Sequence, residues 1–210
     1  MNENHAKLCS SPEWAEWIQT ELLPSLADGV ELGSKMLEVG PGPGATTDWL
    51  RHKVARLVSL EIDPEASAAL SSRLAGSNVE VVTGDASAMD FGEASFDSVG
   101  CFTMLHHVPT LGAQAKVLSE MFRVLRPGGV LLASDGLANS ESGAFHAGDT
   151  YNPIEPESLL LLTQALGFSR LTLVLDSRLS LVAHKPASVG EEEPTSLLSR
   201  TAPSLTAAAQ

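Results

Sequence analysis

The chain has 210 residues, 43% of them hydrophobic, which suits one domain with a buried core. Its 13 Lys and Arg stand against 26 Asp and Glu, a formal net charge of −13, and no long basic run is present. A partner held through its phosphate backbone needs clustered cations, so nucleic acid is not an expected ligand.

Residues 1–11 lack an apolar signal region, and the Leu159–Leu162 run is far too short to span a bilayer, so a cytoplasmic protein without a membrane partner is expected. Cys9 and Cys101 lie in unlike surroundings, which makes a disulfide framework implausible, and no metal-ligand spacing is seen. The first helix is predicted from Ser10–Ser11, with Pro12 in its first turn and Ser10 and Glu13 at capping-box spacing. Trp14, Trp17, Ile18 and Leu22 share one face of it until Pro24 interrupts. From Lys35 on, short β-rich runs alternate with helical stretches, the mark of a parallel α/β sheet. Strands are predicted at Met36–Val39, Arg56–Glu61, Val79–Thr83, Phe96–Phe102 and Gly129–Ser134, with helices at Ala45–Lys53, Pro64–Ala75 and Gly112–Val124 between them. Arg126-Pro127-Gly128-Gly129 reads as a stop and turn. A helix at Glu157–Leu166 precedes an antiparallel hairpin, Ser169–Leu175 and Leu179–His184. From Pro186 the chain is rich in Ala, Ser, Pro, Thr and Glu, and a disordered tail is expected. The division is thus 1–34, a helical extension or lid; 35–185, the main domain; and 186–210, the tail.

The informative segment is Met36-Leu37-Glu38-Val39-Gly40-Pro41-Gly42-Pro43-Gly44-Ala45. A strand that ends in closely spaced glycines lets backbone approach a ligand without Cβ interference. Alone it is ambiguous: Gly40, Gly42 and Gly44 match Gly-x-Gly-x-Gly, while Gly40, Gly42 and Ala45 satisfy the dinucleotide pattern. Glu61, ending the second strand, is suitably placed for a ribose in either case.

The remaining motifs favour one reading. Gly84-Asp85-Ala86 follows the third strand; Phe96-Asp97-Ser98-Val99 opens a fourth that ends in Phe102-Thr103-Met104-Leu105-His106-His107; and Leu125-Arg126-Pro127-Gly128-Gly129-Val130 leads into the fifth. In that order and spacing, Lys35–Lys185 resembles the class I S-adenosylmethionine-dependent methyltransferases, most of all the small-molecule (methyltransferase type 11-like) group that includes quinone-biosynthesis enzymes. The resemblance implies a Rossmann-like α/β three-layer sandwich, with a seven-stranded sheet in the order 3-2-1-4-5-7-6 and the last strand antiparallel. It implies S-adenosylmethionine as methyl donor, with Glu38, Gly40, Gly42 and Gly44 lining its methionine part. Glu61 would hold the ribose, Ile62 would flank the adenine, Asp85 and Ala86 would take its edge, and Phe102 would offer a carbonyl to the amine. An NAD-dependent oxidoreductase is the weaker alternative, since the only tyrosine, Tyr151, has no lysine four residues on. A non-catalytic domain that only binds the cofactor is another.

Transfer from a sulfonium mainly requires alignment and exclusion of water. An acceptor of high pKa would add a need for a base, for which His106 and His107 are the candidates. His146 and Asp149, in a long polar connection, are candidate substrate contacts, and Trp14 could cover an apolar acceptor. The expected partner is a small-molecule methyl acceptor, with the oligomeric state, monomer or homodimer, left open.

Overall fold

The computed structural model describes residues 2–138, 140–187 and 196–199. Eight strands, β1 (Lys35–Val39), β2 (Arg56–Glu61), β3 (Val79–Thr83), β4 (Phe96–Phe102), β5 (Leu125–Gly136), β6 (Ser169–Leu175), β7 (Arg178–His184) and β8 (Ser196–Ser199), form one sheet. Their order is β3-β2-β1-β4-β5-β7-β6-β8. The first five run parallel, β7 is antiparallel to both β5 and β6, and β8 lies parallel to β6. The Rossmann-like order expected from the sequence is therefore present, with one strand added at its edge. That strand falls inside the stretch expected to be a disordered tail; the rest of that stretch beyond residue 187 lies outside the described residues.

The strands alternate sides in the manner that a pleat requires. Leu37, Val39, Val99, Leu131 and Ala133 face one core, where Val117, Leu118 and Met121 of α6 (Leu111–Val124) and Leu159 of α8 (Pro156–Ala165) pack. Met36, Leu57, Val130 and Leu132 face the other, against Ile18, Leu22, Leu23 and Leu50. Burial on both faces is why β1 and β2 carry consecutive apolar residues, Met36-Leu37 and Leu57-Val58, where a strand with one wet face would alternate.

Several details depart from the sequence reading. The N-cap of α2 (Pro12–Trp17) is Ser11, whose side chain accepts from the Trp14 N–H, one residue later than the predicted capping box. Pro24 does not stop the helix. The chain widens into a π-turn over Ile18–Leu22, which accommodates a ring that lacks an N–H, and continues through α3 (Leu23–Leu26). Upstream lies an unpredicted helix, α1 (Glu3–Cys9), capped by Asn2. The remaining helices are α4 (Ala45–Leu50), α5 (Pro64–Arg73) and α7 (Ser140–Phe145). The predicted turn at Arg126–Gly129 is a bulge within β5, where the register with β4 shifts between Phe96 and Ser98. Among the described residues no helix is long and apolar enough to cross a membrane.

Candidate cofactor and acceptor site

The strand order reverses at β1, which has β2 on one side and β4 on the other. A crevice outside the carboxyl ends of the strands opens at such a point, and the predicted residues converge there. Gly40, at φ +72°, follows β1, and a Cβ there would run into the Met104 side chain. Gly42 also has positive φ, +51°, but a Cβ on it would meet nothing within 4 Å, so the space above it is open to a ligand. Gly44, in the left-handed region, caps α4.

Glu61 ends β2 with only 7% of its surface exposed, and its carboxylate accepts from the Gly42 N–H (3.1 Å) and the Asp63 N–H (3.1 Å). The acid thus touches the glycine turn itself. Ile62, beside it, is 68% exposed, an apolar side chain available for stacking. Asp85 and Ala86 follow β3, the neighbouring strand; Asp85 is exposed, and the Ser87 N–H donated to it lowers its pKa. Phe102 ends β4, its ring buried in the second core.

Glu38 behaves differently from the expectation that it lines the methionine part. It is buried, and its oxygens accept from the hydroxyls of Thr46, Thr47 (2.7 Å) and Ser59 (2.7 Å). Burial raises its pKa against the pull of those hydroxyls. Its side chain is committed to pinning α4 and the glycine turn to β1 and β2.

Further along the same edge, past β4 and β5, the histidines gather. The 3-10 turn Leu105–His107 carries His106 and His107, the chain after α7 carries His146, and α1 brings His5. Adjacent rings stand 4.1–6.1 Å apart, centroid to centroid. The turn is held firmly. Asp135, the buried penultimate residue of β5, accepts from the His106 N–H (3.0 Å) and from its Nδ1 (2.5 Å). The His106 carbonyl accepts from Asn152 N, and Gln114 Nε2 donates to the Leu105 carbonyl (2.9 Å). Burial, then the neighbouring imidazoles, hold His5 and His107 down to about 4. His146 takes its orientation from the Ser142 carbonyl, to which its Nδ1 donates (2.6 Å). Asp149 turns toward α1, accepting from Asn2 N (2.6 Å), with Oδ2 3.7 Å from His5 Nδ1.

Trp14 packs against Trp17 (5.1 Å between centroids) and the second core, so the helix that reaches the histidines is α1, not the Trp-bearing one. Sequence reasoning missed Arg178, the first residue of β7, which pairs with Gly136. Its guanidinium lies over the Trp17 ring at 5.2 Å, its buried Nε and Nη2 have no hydrogen-bond partner, and burial lowers its pKa. A wide depression of about 740 Å³ lined by Val30, Glu31, Trp49 and Lys53 lies by the amino end of β1, away from all these groups.

Comparison with known proteins agrees with this geometry. The methyltransferase domain family matches residues 37–133. A probable S-adenosylmethionine-dependent methyltransferase of Mycolicibacterium smegmatis is 35% identical over 102 residues, 49% of this chain and 38% of that protein. The ribosomal RNA small subunit methyltransferase A of Moorella thermoacetica is 38% identical over 77 residues, 35% of this chain and 27% of that one. The chain therefore spans well under two thirds of the length of these relatives. An amino pentose methyltransferase from Micromonospora echinaspora, solved with S-adenosylmethionine bound, shares the fold at a TM-score of 0.66 and 18% identity, over 87% of this chain and 95% of that one. Residues 37–133 thus resemble a methyltransferase domain, and the relatives that match the chain include an S-adenosylmethionine-dependent methyltransferase.

Proposed function

We propose that the chain transfers a methyl group from S-adenosylmethionine to a small-molecule acceptor at the carboxyl edge of its sheet. The observation that carries this reading is the contact between Glu61 and the Gly42 N–H, below a turn that is open where a Cβ would stand. When bound, the cofactor supplies an activated methyl on a sulfonium. Glu61 takes the ribose hydroxyls, Ile62 flanks the adenine, Asp85 and Ala86 take its edge, and the Phe102 carbonyl faces the amine. Gly40, Gly42 and Gly44 admit the amino-acid arm, while Glu38 keeps their turn rigid. Rigid placement is what in-line transfer asks of a protein.

The acceptor end is bounded by the His106–His107 turn, with α1 over it as the covering part of the 1–34 extension. Asp149 and His146 belong to this end as well, and Trp14 serves it only from behind, by supporting Trp17 beneath Arg178. The Nε and Nη2 of Arg178, buried without a hydrogen-bond partner, favour an acceptor that bears a carbonyl or anionic oxygen. The net charge of −13 favours a small acceptor over RNA, in a cytoplasmic protein.

Incubation with a metabolite extract, a total RNA preparation and isotopically labelled methyl donor tests this directly. Label is expected in one low-mass product identified by mass spectrometry. Label recovered in RNA, or in neither pool while the cofactor binds, would remove the small-acceptor reading.

A further inference from the structure

The four histidines at the acceptor end have a chemistry that methyl transfer does not use. His5, His106, His107 and His146 each offer one ring nitrogen, and these four atoms lie within 4.8 Å of one another. A tetrahedral zinc ion with Zn–N bonds of about 2.0–2.1 Å sets its ligand atoms roughly 3.4 Å apart, and the ring centroids about 5 Å apart. The observed centroid separations, 4.1–6.1 Å, straddle that value.

The hydrogen bonds fix which lone pairs are available. The Ser142 carbonyl can only accept, so His146 carries its proton on Nδ1 and presents a bare Nε2. Asp135 does the same for His106. Both Nε2 atoms are buried without a hydrogen-bond partner, as is His5 Nδ1. A buried acceptor with no donor is costly. Two such acceptors, the Nε2 atoms of His106 and His146, clustered with the imidazoles of His5 and His107, point to a ligand that accepts lone pairs, which is a metal ion.

We propose that His5, His106, His107 and His146 form a closed, four-coordinate site for a divalent transition ion of the zinc type, which fastens α1 over the carboxyl edge of the sheet. All-imidazole coordination suits zinc and not the hard cations magnesium or calcium. Four protein ligands leave no open position, the pattern of a structural site. The ion's charge is balanced nearby, by Asp135 on His106 and Asp149 beside His5. His106 and His107 then serve as ligands and not as a base, so the acceptor must already carry its nucleophilic lone pair. Only His5 comes from the N-terminal segment, so the ion joins α1 to residues a hundred positions away. The proposal stands on these four side chains alone and does not depend on the methyltransferase reading.

The test uses the untagged 210-residue chain, stripped with a chelator and titrated with zinc, cobalt and magnesium chloride. One zinc per chain is expected, with the intense visible absorption of tetrahedral cobalt on cobalt addition and no uptake of magnesium. Hydrogen exchange of residues 2–11 should slow on zinc addition. Asp135→Asn should weaken zinc binding by about 10–100-fold, and His5→Ala by at least as much. Circular dichroism establishes whether each variant is folded; should one unfold, the wild-type titration still decides. Absence of stoichiometric zinc and cobalt uptake by wild type, or zinc binding by a folded His5→Ala/His146→Ala variant as tight as wild type, would overturn the site.

Discussion

The two edges of the sheet are built on opposite principles. At the amino edge, Asp97 accepts from the main-chain N–H groups of Ser34 (2.7 Å) and Lys35 (2.8 Å) and pairs with Arg126 (2.6 Å). Ser98 Oγ donates to the Leu32 carbonyl, and Lys185 Nζ donates to the carbonyls of Phe122 and Leu125. These groups are matched within the chain. The carboxyl edge holds the buried, unpartnered nitrogens of His5, His106, His146 and Arg178, together with a turn open above Gly42. Thr103, a β-branched residue at φ +52°, adds backbone strain there. One edge closes the fold, and the other leaves buried polar groups unmatched within the described residues, at some cost to stability.

Substitutions can break this contrast. The largest effect is expected for Glu61→Ala. Removing the carboxylate proposed to take the two ribose hydroxyls, at about 1.5–3 kcal/mol for each charge-assisted hydrogen bond, should weaken S-adenosylhomocysteine by roughly 100-fold or more in equilibrium dialysis, while loss of its bonds to the Gly42 and Asp63 N–H groups also lowers the melting temperature. Asp97→Ala should act on stability alone. Loss of two main-chain hydrogen bonds to a charged group should cost about 2–3 kcal/mol in a urea melt and leave the cofactor affinity unchanged. Burial pushes the Asp97 carboxyl up, but the Lys35 and Ser34 N–H groups and Arg126 outweigh it and lower its pKa below 3.8. A lowered folded value gives stability that is full above the unfolded pKa and drains as pH falls through the folded one. Wild type and Asp97→Ala should therefore converge in strong acid.

The glycine turn separates the two effects within one loop. Gly40→Ala places a Cβ against Met104 at positive φ and should cost about 1–2 kcal/mol from the backbone alone, read from thermal melts. Gly42→Ala, at φ +51°, carries a similar backbone cost but meets no protein atom, so it should lose cofactor affinity beyond what its stability loss explains. The smallest effect belongs to Asp85→Ala. One hydrogen bond of about 0.5–1.5 kcal/mol predicts roughly 3–10-fold weaker cofactor binding in the same dialysis assay.

Much of the fold was legible because its signals are local. Strands buried on both faces appear as apolar runs, and Gly40–Gly44 with Glu61 declare a strand-end crevice within a short span. The histidine cluster was not legible in the same way. α1 has no apolar period to betray it, since it docks through His5, a polar side chain. The four histidines come from three separate stretches, at residues 5, 106–107 and 146, and only the sheet topology brings them together. A search for metal ligands at short spacing therefore found none. Glu38 was read from its place in a motif, whereas Thr46, Thr47 and Ser59, which turn it inward, are contributed by the following helix and the next strand. Pro24 looked like a stop because a π-turn leaves no mark in composition. β8 is held through main-chain pairing to β6, which asks for no apolar pattern in Ser196–Ser199.

Isothermal titration of the purified wild-type chain with S-adenosylhomocysteine bears most directly on the cofactor crevice. One site per chain, with saturation at micromolar ligand, is the predicted outcome. A flat titration up to millimolar ligand, with the protein shown to be folded, would contradict the assignment of Glu61 and the glycine turn to the methyl donor.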